Sequence, residues 1–218
     1  MTEQRKSETE RKPTLRFKGF TDPWEQRKLG DYGVTYGGLS GKTKEDFGHG
    51  DASFVPYTNV FDNPITDVER LESVEIDSRQ NRVKFGDVLF TVSSETPEEV
   101  GMSSVWLADR PNVYLNSFCF GYRQKGIFEP YYLAYMLRSQ SVRSSLALLA
   151  QGISRFNISK KRVMELEVPC PRIEEQKQIG ALFQRLDSLI TLHQREGSST
   201  GLYSPWRRGG CFAARFRP

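Results

Sequence analysis

With 218 residues, 12% aromatic and 27% charged, the chain has a globular composition, long enough for one good core and with room for two small domains. No run approaches the roughly 20 apolar residues of a membrane span, and the opening MTEQRKSETERK lacks the apolar core of a secretory leader, so a cytoplasmic protein is expected. The net charge of +4 comes from the end of the chain: the last 22 residues hold four arginines and no acid, whereas residues 13–196 carry 23 basic against 24 acidic groups, so bulk charge makes no case for a polyanionic partner.

Residues 1–12 are charged, lack apolar periodicity and are expected to be disordered. A short strand is expected at Leu15–Phe17. Asp22 offers an N-cap and Pro23 a first helical position, which predicts a short helix over Trp24–Leu29 closed by Gly30, with Trp24 as a core anchor. Tyr36–Asp51, with five glycines and no apolar period, reads as one long loop of the functional kind. Phe54 and Val55 begin a strand that Pro56 confines to an edge or an end. Arg82–Val92 reads as strand, turn at Gly86-Asp87, and strand. Ser93–Pro97 is a polar turn-forming loop, and Val105–Leu107 and Phe118–Arg123 are further strands.

Pro130 opens a helix running to about Gln151, with a break near Ser139–Ser141 and Gly152 as its stop. Ser159 caps a short turn, and the alternation of Met164, Leu166 and Val168 with Glu165 and Glu167 predicts a half-buried strand. From residue 130 to residue 164 there is no acid, yet Arg138, Arg143, Arg155, Lys160, Lys161 and Arg162 all fall there. Two readings of that run stay open: a surface facing a polyanion, or a merely solvated basic face.

The last regular stretch is an amphipathic helix from Ile173 to Glu196, 24 residues or about 36 Å. Pro171 precedes it, and Glu174 and Glu175 place negative charge near its positive end. Ile179, Leu182, Phe183, Leu186, Leu189, Ile190 and His193 recur at steps of three and four on one stripe. As heptads, Ile179, Leu186 and His193 share one seam position, and Leu182 and Leu189 the other. The stripe either packs on its own domain or pairs with a helix from outside it. Residues 197–218 change character abruptly and are expected to be disordered. Strands and helices mix without steady β-α-β alternation, so the fold class is α+β.

Cys119, Cys170 and Cys211 are far apart, which argues for reduced thiols and against a disulfide or zinc framework. His49 and His193 are the only histidines, too few for a His-rich metal site. The glycines from Gly30 follow no apolar strand, so a nucleotide-type cofactor loop is not indicated. Glu45-Asp46 beside Lys44, and Glu174-Glu175 with Lys177, are weak nuclease candidates, and the second pair is better explained by the helix start. No catalytic residue and no metal ligand is assigned.

Several segments, in order, resemble half of a specificity subunit from a type I restriction–modification system. They are LRFKGFTDPWEQRKLGD at Leu15–Asp31, KFGDVLFTVSSE at Lys84–Glu95, NSFCFGYR at Asn116–Arg123, QGISRFNISKKRVMELEVPCPRIEEQKQI at Gln151–Ile179, and the helix to Glu196. The resemblance implies a target-recognition domain of mixed, mostly antiparallel strands and helices over 13–172. It also implies a conserved spacer, a long coiled-coil helix over 173–196, and leaves 197–218 outside the family pattern. It implies a chain that is not catalytic alone and reads one half of a split double-stranded DNA target in the major groove. Its helix docks modification (methyltransferase) subunits, and a restriction subunit completes the complex. No cofactor is then expected on this chain, and S-adenosylmethionine, ATP and Mg belong to the partner subunits. A single copy further implies pairing with itself or with a second half-specificity subunit. The competing expectation is a protein-interaction factor that uses the terminal helix and reads no DNA.

Base reading needs paired donors and acceptors, and phosphate contact needs Arg, Lys, hydroxyls or backbone N–H groups. Three segments offer them: Ser40, Lys42, Thr43 and Lys44; Thr91, Ser93, Ser94 and Glu95; and Ser154, Arg155, Asn157, Lys160 and Lys161. For each the bland alternative is a turn of solvated polar groups, and for Asn157 it is a cap on the turn before Lys160.

Overall fold

The computed structural model describes residue 13 and residues 15–199, with side chains placed as far as residue 194. Disorder is expected for residues 1–12 and 197–218; residues 1–12 and 200–218 lie outside the described residues, whereas 197–199 are helical and carry the last helix three residues past the expected end at Glu196. The chain divides into two units, with the boundary between Leu182 and Phe183.

The first unit is built on a four-stranded antiparallel sheet. Its order is β2 (Gly33–Gly37), β9 (Cys119–Gln124), β5 (Val88–Thr91) and β7 (Ser103–Val105). The central strand β5 is buried on both faces, so it reads as an unbroken apolar run instead of an alternation. Val88 and Phe90 enter the larger core with Phe120, Tyr122, Leu133, Leu137 and Leu146, while Leu89 enters a second core with Val55, Trp106 and Leu115. Phe90 stacks on Phe120 at 5.2 Å between centroids. A second sheet joins β4 (Glu72–Val74), β3 (Phe47–Val55) and β8 (Val113–Leu115), with β3 parallel to β8.

Helix α1 (Tyr57–Asp62) follows β3. The predicted 130–151 helix is two: α2 (Pro130–Met136) and α3 (Gln140–Leu148), broken at the expected serines. Glu129 caps α2 by accepting the Tyr132 N–H at 2.7 Å. Two short pairs complete the unit: β6 (Ser93–Ser94) with β10 (Phe156–Asn157), and β1 (Glu25–Lys28) with β11 (Glu167–Cys170). Helix α4 (Lys160–Met164) lies between β10 and β11. The architecture is α+β with mainly antiparallel pairing, and it leads into one long helix, α5 (Ile173–Ser199).

Several sequence expectations are corrected. The helix predicted over Trp24–Leu29 is strand β1 followed by a single 3-10 turn at Leu29–Tyr32. The polar Glu25–Lys28 has no apolar stripe for a helix to bury, whereas the extended form gains a four-residue ladder with β11. Leu15–Phe17 forms no strand. The Tyr36–Asp51 loop is largely regular: Tyr36 and Gly37 end β2, Lys44–Asp46 is a 3-10 turn and Phe47 starts β3. Its late glycines serve a strand irregularity. Gly48 and Gly50 have φ of +87° and +96°, and the register of β3 against β4 shifts between Phe47 and Ala52. Val83–Phe85 is irregular, Met164 ends a helix and β11 begins only at Glu167. The expected Val105–Leu107 strand is β7, ending at Val105.

Candidate nucleic-acid interface

Two of the family-like motifs turn out to be frame. Asp87 of the KFGD segment is 1% exposed and accepts from the Tyr36 hydroxyl at 2.7 Å, the Lys84 N–H at 2.8 Å, and Arg123 Nε and Nη2 at 2.9 and 2.6 Å. Burial, with Asp87 beside it, raises the Tyr36 hydroxyl far above its ordinary value, so it stays a donor. A buried charge saturated in this way ties β2, β9 and the start of β5 together.

The Pro-Arg-Ile-Glu-Glu-Gln stretch does the same for the base of α5. Glu174 is exposed, but Glu175 is buried, accepting from Arg16 Nε and Nη2 at 2.9 and 2.7 Å and from Trp24 Nε1 at 3.1 Å. Gln176 is equally buried. Its Oε1 accepts the Glu129 N–H at 2.8 Å, and its Nε2 donates to the carbonyls of Ile127 and Pro171 at 3.2 and 2.8 Å. Gly180 allows the close approach of α2: a Cβ there would stand 2.6 Å from Glu129 Oε2 and 2.9 Å from Tyr131 Cβ. Trp24, expected as a core anchor, is only half-buried and joins none of the hydrophobic clusters; it is held instead by its indole N–H on Glu175.

Opposed to this frame is a loop that is firmly rooted and freely presented. Gln151 and Asn157 exchange both backbone hydrogen bonds, at 2.9 and 2.8 Å, and close the five residues between them into a tight turn. Gly152 has a φ of +140°, and a side chain there would collide with the Arg155 carbonyl. Phe156 and Asn157 pair with Ser94 and Ser93, and the Ile158 N–H donates to the Val92 carbonyl at 2.9 Å. Ser154, Arg155, Asn157, Lys160 and Lys161 are all exposed. The Lys160 ammonium also sits 5.9 Å from the Phe120 ring centroid, which fixes its position beside the end of β2. The fold thus joins the second and third predicted segments into one structure.

The remaining predicted residues are placed differently. Thr91 is fully buried, and Ser93 and Ser94 are 8% exposed, with the Ser94 hydroxyl donating to Glu99 at 3.0 Å. Glu95 is exposed. Lys42 lies 3.4 Å from both Asp46 and Asp77. Thr43 forms a capping box with Asp46. The Ser40 backbone pairs with the Gln80 amide at 3.1 and 2.9 Å, leaving its hydroxyl and Lys44 on the surface. Arg138 and Arg143 are structural: Arg138 donates to carbonyls at the end of α1 and to Ser103, and Arg143 to Glu98, Val100 and Gly101. Burial lowers the Arg138 guanidinium to about 10. The acid-free run therefore contains two kinds of cation.

Sequence reasoning passed over Tyr57 and Phe118. Phe118 is 61% exposed, and its carbonyl accepts the Val92 N–H at 3.1 Å; the Tyr57 hydroxyl donates to the Ser93 carbonyl at 2.7 Å. Both line an apolar recess of about 400 Å³ with Leu39, Phe47 and Phe54. The only signal was an aromatic at the edge of a strand, Tyr57 just after β3 and Phe118 just before β9.

On α5, Ile179 packs against the larger core, while Leu182, Phe183, Leu186, Leu189, Ile190 and His193 are exposed. Cys119 and Cys170 are free thiols, and burial pushes Cys119 up to about 12. Among the described residues no group of acidic, His and Cys side chains is arranged to hold a metal ion, and no helix is long and apolar enough to cross a membrane.

A family model described as the type I restriction modification DNA specificity domain matches residues 21–198. A putative type I restriction enzyme specificity subunit of Methanocaldococcus jannaschii is 28% identical over 179 residues, 78% of this chain and 40% of that protein. The chain thus spans less than half the length of that relative. Among solved structures, the HsdS subunit from Thermoanaerobacter tengcongensis superposes with a TM-score of 0.57 at 20% identity, over 88% of this chain and 44% of that one. A chain from a type I R-M system, solved in work on its complex assembly and conformational transition, gives 0.59 at 19% identity, over 90% and 47%. These two likenesses show a shared fold.

Proposed function

Because the chain belongs to the family of type I restriction–modification DNA specificity domains, we propose that it is a half-length specificity component. In this reading it recognises one half of a split duplex target in the major groove. The observation that carries it is the rigidly closed 152–156 loop, whose exposed Ser154 and Arg155 stand with Asn157, Lys160 and Lys161 in a stretch without any acid. Arg155 and the two lysines suit phosphates, and Ser154, Asn157 and Glu95 suit base edges. Ser40 and Lys44 are peripheral contacts. Thr91, Ser93 and Ser94 shape the base of the loop from beneath, and Lys42 and Thr43 hold their own turn.

The exposed stripe of α5, from Leu182 to His193, is the docking surface for modification (methyltransferase) subunits, and through them for a restriction subunit. The same stripe serves a self-dimer or a second half-specificity subunit, since one half-site alone gives little specificity. This chain is not the catalyst; S-adenosylmethionine, ATP and Mg would be held by the partners, in the cytoplasm where the target DNA lies.

The test is selection from a random duplex pool by the chain together with its host's modification subunit. Enrichment of a defined half-site, or of an inverted repeat if light scattering shows a dimer, is the expected result. A complex that forms through α5 but enriches no sequence would instead make the chain a protein-interaction factor.

A further inference from the structure

The geometry points to Ile153 as a specificity-determining residue that reads the C5-methyl group of a thymine in the target half-site. Ile153 is 96% exposed, at the tip of a loop that is anything but loose. The turn is closed by the Gln151–Asn157 pair, shaped by Gly152, clasped to Ser93 and Ser94 through Phe156 and Asn157, and rooted by the buried Ile158. An apolar side chain left in water gains nothing for the fold. Here the loop has fixed its position at the same time, which is how a contact made only on binding is arranged.

The neighbours decide what covers it. Ser154, Arg155 and Asn157 are hydrogen-bonding groups, Lys160 and Lys161 are cations, and residues 130–164 hold no acid; across the pairing with Ser93 and Ser94 the acids are Glu95, itself assigned to a base edge, and Glu99, which is bonded to Ser94. A partner met by those groups is polyanionic and rich in donors and acceptors. On the major-groove edge of duplex DNA the one apolar group is the thymine methyl. Leu148, 85% exposed on α3, is the matched comparison: equally apolar, but on a helix and outside the closed turn.

This inference rests on the DNA-reading function proposed above. The experiment uses the chain with its modification subunit, first to define the half-site from a random pool and then to replace each thymine by uracil in turn. Burying one methyl is worth about fourfold in affinity. Uracil at one position should weaken the wild-type complex about fourfold, and that ratio should fall to one in Ile153→Ala. The melting temperature of Ile153→Ala should be unchanged, and Leu148→Ala should keep the full ratio. A half-site without thymine, an absence of uracil sensitivity, or a ratio that persists in Ile153→Ala overturns the assignment of Ile153 while leaving DNA reading intact. A ratio lost equally in Leu148→Ala overturns it too. Failure to enrich any sequence sinks the functional reading itself.

Discussion

Replacing Arg138 by methionine should unfold the domain about 6–12 °C earlier without touching the proposed DNA contacts. The guanidinium donates to Ser103 O at 2.7 Å, Val60 O at 2.9 Å, Phe61 O at 2.8 Å and Asn63 O at 3.0 Å. Two of these carbonyls, of Val60 and Phe61, lie in the last turn of α1 beyond Asn59, whose own carbonyl takes the Asn63 N–H, so the cation also meets the negative end of the helix. A hydrogen bond from a charged donor contributes roughly 1.5–3 kcal/mol, but four on one group are not additive, and water can replace some of them at this half-buried site. A net loss of about 3 kcal/mol follows, and a domain of this size shifts by about 2–4 °C per kcal/mol. Methionine keeps most of the apolar stem, so the loss reports the guanidinium. Arg138→Lys, which keeps the charge but loses the planar fork, should recover part of it. Thermal unfolding followed by circular dichroism measures both. A shift below 2 °C for Arg138→Met, or weakened DNA binding at unchanged stability, would refute the structural assignment.

Three further outcomes are expected. Arg155→Ala should leave the melting temperature unchanged, weaken binding to the selected duplex and reduce the slope of log affinity against log salt by about 0.9, read by fluorescence anisotropy; an unchanged slope removes Arg155 from the phosphates. Asp77 is held well below the usual carboxylate range by the Arg79 side chain and N–H, and by the Gln80 amide. A depressed native value means stability that is present above the unfolded value near 3.9 and lost as pH falls through the native one. The urea-midpoint gap between wild type and Asp77→Asn should therefore narrow steadily below about pH 4, and a gap independent of pH would contradict it. Glu175→Gln removes the charge and one of the two acceptors that hold Arg16, so trypsin should cut at Arg16 and Lys18 faster than in wild type; equal rates would show that this pair does not hold the segment down.

What the sequence disclosed follows from where each signal is stored. Strands β5 and β9, the break between α2 and α3, and the stripe on α5 announce themselves because their pattern of apolar and polar side chains is written in neighbouring residues. Strand β1 does not, since Glu25–Lys28 is polar and extended only because Glu167–Cys170 lies beside it, some 140 residues later. The same distance hid Ser93 and Ser94: four polar residues in a row read as a loop, yet two of them pair with Phe156 and Asn157. The glycines of residues 36–51 read as one functional loop, yet Gly48 and Gly50 serve a strand irregularity, a need that composition alone does not separate from a ligand's. Phe118 looked like the start of a strand and became surface because the strand begins one residue later.

The acid-free run shows how stability and proposed recognition are kept apart within a few turns of chain. Arg138 and Arg143 fold inward and spend their donors on backbone carbonyls, so changing them alters the frame. Arg155 is exposed on a loop whose closure depends on Gly152 and on backbone bonds at Gln151 and Asn157, and Lys160 and Lys161 are exposed at the start of α4. Side chains at 153–155 contribute almost nothing to that closure. They are therefore free to vary while the loop keeps its position, which is the property a reader of many different targets needs from one scaffold. The same logic separates the two ends of α5. Its first turns are fixed by Glu175, Gln176 and Gly180, whereas Leu186, Leu189 and Ile190 stay exposed, so a substitution at Leu189 should alter assembly and leave the recognition domain's own melting unchanged.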